Sequence, residues 1–573
     1  LSRVRVFRYI HWLSDRADIL IQLGRVDEAI RDLQTASEEY PEPVFLYRLA
    51  TIFRYRGRMA EFRNTLEAAW NMRQSRWSYF SSEENFLALA QIAELRGENP
   101  KQLLSTVYTS LMENVPTFSS GFVGAGDLAF RRGAYDLADQ YYRRALEVDE
   151  TNLDAYAGLA ETYWKSSDPR LSSILDHILQ INPHHDRAKA IQVELELDQG
   201  NASQALKAIQ STVAINPHSL RFRALEAAAY FLLDATEDLQ RVRNEVLNFN
   251  SVCSEIDSVP GRIASRHYRF REGLAFQNSA LQTNPDDNDA RTQFGLDSLR
   301  MGNDETGRFH LELAFAADPY NVQVFNLLTL LDTLDTYDKI QEGSFLIRLP
   351  KNESPIWGDE AVSLLNEAMQ TYQAKYEIAL ATPVHVQIFE HHDDFMVRSV
   401  GLPGAIEFMG ICFGNLITMD SPTARTHLSM NWKSVLWHEF VHVITLQKTN
   451  NRMPRWLSEG ISVYEETRKS PAWGQKMKPE YKSLIESDGL PGVSELEGYF
   501  IRPKTPNHMM LGYFLAGEFA RFYSEKYGDD ALPSALSRIG QGRETLASLA
   551  EASHQAVAVL DGEFRQYVQQ RLV

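Results

Sequence analysis

The sequence predicts a mostly helical chain, with a solenoid of stacked helix pairs followed by an α+β domain. A spacing that runs from glycine to proline recurs along the first 340 residues with a period near 34. Runs of β-branched and apolar residues, which are typical of strands, begin only after about residue 340. In addition, a chain of 573 residues is too long to fold around one hydrophobic core.

Three segments of the first half share the same pattern of small and apolar residues. They are Gly24, Ala29, Leu33, Ala36 and Pro41; Gly200, Ala205, Ile209, Thr212 and Pro217; and Gly302, Gly307, Leu311, Ala314 and Pro319. A fourth, which runs through Gly133, Ala138, Tyr142 and Ala145, has Glu150 in place of the proline. Glycine allows a tight turn between antiparallel helices, the next small residue lets them approach closely, and proline ends the second helix.

This pattern resembles the tetratricopeptide repeat. It is regular in these four segments and degenerate between about 70 and 120 and between 220 and 290, where we expect helices of irregular length. We predict two blocks of repeats, 1–115 and 116–338. The resemblance implies an extended concave surface that binds a protein or peptide partner. The alternative is a solenoid that only positions or covers another domain.

A second domain is predicted over 339–573 from the change in sequence texture. Four short runs are read as strands: 344–349, 384–389, 407–413 and 415–419. A helical stretch near 359–376 separates the first two, so the domain is α+β. The run 415–419 is interpreted either as an edge strand that pairs with an extended substrate or as an ordinary core strand.

Segment 432–446 (WKSVLWHEFVHVITL) is apolar on most sides and predicts a buried helix. His438 and His442 are four residues apart, so they share one helix face and can direct two imidazole nitrogens at a single tetrahedral ion. Glu439 projects about 100° round the helix, which places its carboxylate where it can accept a proton from water. The alternative is a pair of core histidines that hydrogen-bond to their neighbours without a metal.

Segment 455–466 (RWLSEGISVYEE) predicts a second helix that returns against the first and presents Glu459 as a third ligand. HEFVH followed by WLSEG, and then by a tyrosine and an acid, resembles the gluzincin metallopeptidases, in particular the peptidase MA-like domains that are often fused to tetratricopeptide repeats. The resemblance covers roughly 340–573. It implies a zincin-type fold, a Zn²⁺ ion held by His438, His442 and Glu459, and Glu439 as general base and acid.

Sixteen residues separate His442 from Glu459, fewer than is usual in the aminopeptidase branch, so the spacing argues against an aminopeptidase. The endo- or exopeptidase mode stays open. A peptidase also needs a donor for the oxyanion. Segment 508–520 resembles the family helix whose leading tyrosine has this role, which makes Tyr513 the first candidate and His508 the alternative. The alternative interpretation of Tyr513 is a core aromatic at helical spacing. Glu466 either orients a ligand histidine or is a surface charge, and we favour the surface charge.

The composition excludes several classes of protein. A formal net charge of −18 argues against a general nucleic-acid binder and against adhesion to anionic membranes. Cys253 and Cys412 are too far apart, and too far from the histidines, for a disulfide framework or a thiolate zinc site. No apolar run is long enough for a transmembrane segment.

The leading hypothesis is a zinc-dependent metallopeptidase that acts on a peptide or protein substrate gathered by the solenoid. The rival hypothesis is a catalytically idle, zinc-stabilised domain on a protein-interaction scaffold. Peptidase MA-like domains are common in bacterial proteins that act outside the cytoplasm. The resemblance therefore favours a periplasmic or secreted protein and leaves the cytoplasm open.

Overall fold

The computed structural model describes residues 2–75, 82–166, 168–403, 408–425, 431–501 and 503–572. The chain divides into two compact units. The first unit comprises Leu1–Ile263, Ala275–Arg291 and Phe315–Val322, and the second comprises Ala264–Leu274, Thr292–Ala314 and Gln323–Val573. The predicted boundaries after residues 115 and 338 stay predictions. The predicted strand start at residue 407 lies outside the described residues.

Consecutive helices form the first part of the chain. They are α1 (Ser2–Gln22), α2 (Val26–Glu39), α3 (Pro43–Tyr55), α4 (Met59–Ser75), α5 (Glu83–Leu95), α6 (Pro100–Gln102), α7 (Thr109–Asn114), α8 (Ser119–Arg131), α9 (Tyr135–Val148), α10 (Leu153–Lys165), α11 (Leu171–Ile181), α12 (Asp186–Asp198), α13 (Ala202–Val213), α14 (Leu220–Leu232), α15 (Thr236–Phe249), α16 (Glu255–Arg266), α17 (Phe270–Thr283), α18 (Asn288–Arg300), α19 (Asp304–Ala317) and α20 (Val322–Asp335). A π-helix, Leu103–Tyr108, joins α6 to α7.

The turns between paired helices have the conformation that their glycines allow. Gly24, Gly200 and Gly302 have φ values of +73°, +76° and +80°, in the left-handed region where a side chain costs free energy. The small residues that follow, Ala29 and Ala205, are completely buried. The glycines of the repeat therefore form the tight turns, and the alanines form the close helix contacts, that their spacing predicts.

The degenerate stretch between 220 and 290 keeps the same period, which corrects the expectation of irregular helices there. Turn positions 200, 234, 268 and 302 are each 34 residues apart, and Asp234 and Tyr268 also have left-handed φ values of +53° and +61°. The sequence hides these two turns because neither contains glycine. A bulky residue such as tyrosine is rare in this conformation.

The second unit contains a five-stranded sheet. Its strands are β1 (Asp338–Glu342), β2 (Phe345–Leu349), β3 (Val384–Phe389), β4 (Gly410–Cys412) and β5 (Leu416–Asp420), in the order β1-β2-β3-β5-β4. The pairs β2–β3 and β3–β5 are parallel, whereas β1 and β4 are antiparallel to their neighbours. The interpretation of 415–419 as an edge strand is wrong, because β5 is fully buried between β3 and β4, and the edge strands are β1 and β4.

Among the described residues from Ser354 onward, ten helices follow or flank the strands: α21 (Ser354–Tyr376), α22 (His392–Val400), α23 (Trp432–Lys448), α24 (Arg455–Lys469), α25 (Pro479–Asp488), α26 (Gly498–Ile501), α27 (Pro506–Tyr527), α28 (Ala531–Gly540), α29 (Thr545–Ser553) and α30 (Val557–Leu572). Helix α23 packs against α21, α24, β4 and β5, so it lies at the centre of the unit. Across the described residues, each helix is too short or too polar to cross a lipid bilayer.

Candidate metal centre

Helix α23 supplies two imidazoles from one face. Its N-terminus is capped by the Asn431 side chain, which accepts a hydrogen bond from Ser434 N at 3.3 Å. Leu436 and Phe440 are completely buried and hold the helix in the core. This packing leaves His438 and His442 side by side, with ring centroids 4.8 Å apart.

Helix α24 is fixed at its start and in its middle. The Glu497 carboxylate accepts hydrogen bonds from the backbone N–H groups of Arg455 at 3.1 Å and Trp456 at 2.9 Å, so it satisfies two free donors of the first turn. In the middle, a Cβ on Gly460 would clash with the Ala516 carbonyl oxygen of α27. The glycine of the WLSEG segment therefore lets α24 and α27 touch, and Glu459 is held between these two constraints.

Three ligand atoms converge between the two helices. His438 Nε2 lies 3.1 Å from His442 Nε2, and Glu459 Oε2 lies 3.2 Å and 3.3 Å from these two nitrogens. Ligands bound at 2.0–2.1 Å around a tetrahedral zinc ion are separated by about 3.3 Å. Among the residues that the structure describes, these three form the only such group of His, Cys, Asp or Glu ligands. Their spacing and donor types fit zinc.

The other side of each imidazole contacts an oxygen atom. His438 Nδ1 lies 3.0 Å from Glu466 Oε1, and His442 Nδ1 lies 2.7 Å from Ser458 Oγ and 3.3 Å from Ser462 Oγ. If each Nδ1–H donates to its oxygen, each Nε2 lone pair faces the centre, which is the tautomer that a metal requires. The interpretation of Glu466 as a surface charge is wrong, because its carboxylate is buried against His438.

The charges of this cluster are strongly coupled. Burial raises the pKa of the Glu459 carboxyl, but the charge of His442 and the hydrogen bonds from both imidazoles outweigh burial and bring it well below its ordinary value. Burial lowers the pKa of His438, but Glu466 and Glu459 outweigh burial and raise it well above its ordinary value. The two shifts have opposite directions because the acidic and imidazole groups stabilise each other's charged forms.

Glu439 lies beside the cluster and against strand β4. A Cβ on Gly410 would lie 2.8 Å from Glu439 Cγ and 2.9 Å from Glu439 Oε1, so only glycine leaves room for this side chain. Burial raises the pKa of the Glu439 carboxyl, partly countered by the charges of His442 and His438. The raised pKa brings this carboxyl closer to the range in which it can exchange protons near neutral pH.

The two candidate oxyanion donors, Tyr513 and His508, have different surroundings. Tyr513, on α27, is half-buried next to Arg455, and burial together with the charge of Glu459 raises the pKa of its phenol. His508 is turned to other partners, with Nδ1 2.8 Å from Thr505 Oγ1 and Nε2 3.3 Å from Asp488 Oδ2. Of the two, Tyr513 therefore has the more suitable position.

Several residues of the site were missed by the sequence reasoning. Ser458 and Ser462 contact His442, and Arg455 contacts Glu459. Their spacing from Glu459 was available as a signal, because residues three or four apart share a helix face, but a serine or arginine there has many ordinary explanations. Burial raises the pKa of the Tyr268 phenol, and the charges of Arg455 and Glu459 also influence it. No local pattern connects Tyr268 with residues so distant in sequence.

Two tetratricopeptide-repeat family profiles match the chain, over residues 14–71 and 121–152. These matches show that the N-terminal part contains tetratricopeptide repeats. Neither match includes any residue of 339–573, so the metallopeptidase resemblance stays a prediction. No curated protein matches the chain in sequence.

Several solved structures are similar to the chain at low identity. A tetratricopeptide repeat protein from Parabacteroides merdae is 15% identical, with 51% of this chain and 99% of that chain covered and a TM-score of 0.23. Human IFIT1 in a dimer with PPP-AAAA is 14% identical, with coverages of 63% and 81% and a TM-score of 0.31. The APC/C hetero-tetramer Cut9–Hcn1 gives 10% identity, coverages of 98% and 96%, and a TM-score of 0.29.

Proposed function

We propose that this chain is a zinc-dependent peptidase whose repeats bind its protein substrate or a partner. The convergence of His438 Nε2, His442 Nε2 and Glu459 Oε2 at 3.1–3.3 Å is the observation that carries the proposal. Two imidazoles and one carboxylate leave a fourth position open, as catalytic zinc sites do. A closed structural site would have a fourth protein ligand.

Glu439 is the proposed proton carrier. When bound, zinc would polarise the scissile carbonyl and acidify the attacking water. The Glu439 carboxylate would accept the proton of that water and then donate it to the leaving amine. Its burial and its place against Gly410 keep it beside the ligand atoms without being one of them. A residue that only helped to bind metal would not need this position.

Tyr513 and strand β4 are the proposed substrate contacts. The Tyr513 hydroxyl would donate a hydrogen bond to the oxyanion, as its place near Glu459 and Glu439 allows. Strand β4 is an edge of the sheet and packs against α23, so an extended peptide could pair with it next to the cluster. This assigns to β4 the role that the sequence interpretation gave to 415–419.

The test compares zinc content and peptide hydrolysis in the wild type and in Glu439→Gln. We expect one zinc per chain in both proteins and a loss of hydrolysis by roughly 10²–10⁴-fold in the variant, since it keeps the ligands and loses the proton carrier. Glu360→Gln is the control, because Glu360 lies on α21 and pairs with Lys433 at the surface. Equal activity of Glu439→Gln and wild type would disprove the mechanism.

A catalytically idle zinc domain on an interaction scaffold is the second candidate. The tetratricopeptide-repeat matches favour it, because such repeats are usually protein-binding surfaces. One zinc per chain, together with no hydrolysis of a broad peptide library by the wild type, would support this candidate. Hydrolysis that a chelator abolishes and added zinc restores would support the peptidase.

A further inference from the structure

The two carboxylate oxygens of Glu459 face different partners. Oε2 points between the two imidazoles, whereas Oε1 accepts a hydrogen bond from Arg455 Nε at 3.2 Å. Because Arg455 is four residues before Glu459 on α24, the two side chains lie one above the other on the same helix face. The arginine therefore occupies the oxygen that a metal would otherwise be free to bind.

Arg455 is itself held in place. Its backbone N–H donates to Glu497, which fixes the first turn of α24. Its guanidinium lies 5.7 Å from the centre of the Phe408 ring. Isolated i,i+4 ion pairs at a protein surface contribute little. Arg455 differs from such a pair because its guanidinium also lies over the Phe408 ring and hydrogen-bonds to Tyr513.

Two tyrosines influence the same guanidinium. Burial lowers the pKa of Arg455, but the charges of Glu459, Tyr513 and Tyr268, together with a hydrogen bond to Tyr513, raise it above its ordinary value. Tyr268 has a φ of +61° at the turn position where the corresponding repeats have Gly200 and Gly302, so this tyrosine adopts an unfavourable backbone conformation. The Tyr268 ring stacks on Phe413 with centroids 6.1 Å apart. Strained positions of this kind concentrate at functional sites.

We propose that Arg455 is a positioning residue that holds Glu459 as a one-oxygen metal ligand and holds Tyr513 beside it. The inference rests on the proposed metal site and adds a residue to it. The planar guanidinium suits this role, because its donors point in fixed directions and can hold a carboxylate and a phenol together. A lysine would supply the charge without these directions.

The experiment uses the full chain loaded with cobalt(II), which reports coordination number through its visible absorption. Arg455→Met removes the donors and the charge but keeps the length of the side chain, and Arg455→Lys restores the charge alone. Arg468→Met is the matched control, because Arg468 is on the same helix, is 44% exposed against 40% for Arg455, and pairs with Asp529 away from the ligands. Circular dichroism and melting curves verify that each variant is folded.

We expect the wild type and Arg468→Met to show the intense bands of four-coordinate cobalt. In Arg455→Met the freed Oε1 joins the metal, so these bands lose intensity, and Arg455→Lys recovers only part of it. An Arg455→Met spectrum identical to that of the wild type would overturn the inference and leave the proposed peptidase standing. Failure of the wild type to bind cobalt or zinc would overturn both.

A double-mutant cycle tests the link to Tyr513. We expect Arg455→Met to lower kcat several-fold in the wild type and by much less in Tyr513→Phe, because in the second background the phenol that it positions is already absent. Equal losses in both backgrounds would refute the link. Should no variant hydrolyse any peptide, the cobalt spectra still decide whether Arg455 positions Glu459, so the two proposals fail separately.

Discussion

Helix α8 of the repeats and helix α24 of the candidate metal site bury different kinds of side chain. Helix α8 of the repeats buries glycine, alanine and large apolar residues such as Phe122 and Leu128. Helix α24 buries the carboxylates of Glu459, Glu465 and Glu466. Buried carboxylates are costly unless each has a partner. The buried residues of α8 therefore serve packing, whereas the buried carboxylates of α24 require specific partners for their charges.

The glutamates of α24 differ in how their charge is balanced. Glu465 contacts the Lys375 ammonium and the Tyr376 hydroxyl, so the protein supplies its cation. Glu459 has Arg455 on one oxygen only, and its other oxygen faces two imidazole nitrogens. This difference supports the proposal that a metal cation binds between Glu459 and the two imidazoles.

If Glu459 needs a bound cation, removing the metal should have the largest effect on the stability of the second unit. At free zinc about a thousandfold above Kd, zinc should stabilise the second unit by about 4 kcal/mol, since it binds the folded cluster and not the unfolded chain. Melting curves with zinc and with a chelator measure this. Glu459→Gln should show no response to zinc, and a full response in that variant would show that the ion binds elsewhere.

Gly460→Ala should disturb the metal-site region next most strongly. The added Cβ meets the Ala516 backbone carbonyl, so α24 and α27 must separate, at a cost of about 1–3 kcal/mol. Because α27 carries Tyr513, peptide hydrolysis should fall by more than the stability loss explains. Denaturant unfolding and hydrolysis rates measure the two effects. A variant with unchanged stability would contradict the close approach of the helices.

Ser458→Ala should have a smaller effect. It removes the hydroxyl that contacts His442 Nδ1, and loss of such a partner typically lowers metal affinity by about 10–100-fold. Because Ser462 also lies 3.3 Å from the same nitrogen, we expect the lower end of this range. Competition with a chromogenic chelator measures the affinity. Thr467→Ala, elsewhere on α24, is the control and should leave the affinity unchanged.

The part of the molecule that follows local rules was predictable from the sequence. The turns at Gly24 and Gly302 and the pairing of histidines four apart depend on residues within one turn or one helix. The turns at Asp234 and Tyr268 were missed because their backbone conformation is set by the packing of the repeats and not by the residue. Arg455 and Glu497 were missed for a different reason, since their partners follow from how α24 meets other segments.

The burial of Glu466 and the edge position of β4 also depend on how distant segments pack, so the sequence did not reveal them. A sequence gives the order of strands along the chain but not their order in the sheet, so 415–419 could not be distinguished from an edge. Likewise, an acid seven residues after Glu459 is on a predictable helix face, but only the packing of α24 against α23 shows that this face is buried.

The smallest expected effect is on the stability of the repeats. It distinguishes the effect of backbone conformation from the effect of contacts made by an added Cβ. Gly200→Ala should destabilise the first unit by about 1 kcal/mol, because φ is +76° and the new Cβ meets nothing within 4 Å. Gly562→Ala, within α30, should stabilise its unit by about 0.5–1 kcal/mol, since its φ is helical and its surroundings are equally open. Denaturant unfolding of both variants measures this difference in sign. Neither variant should alter zinc affinity. If both substitutions shift stability in the same direction, the repeat does not depend on the left-handed conformation of Gly200.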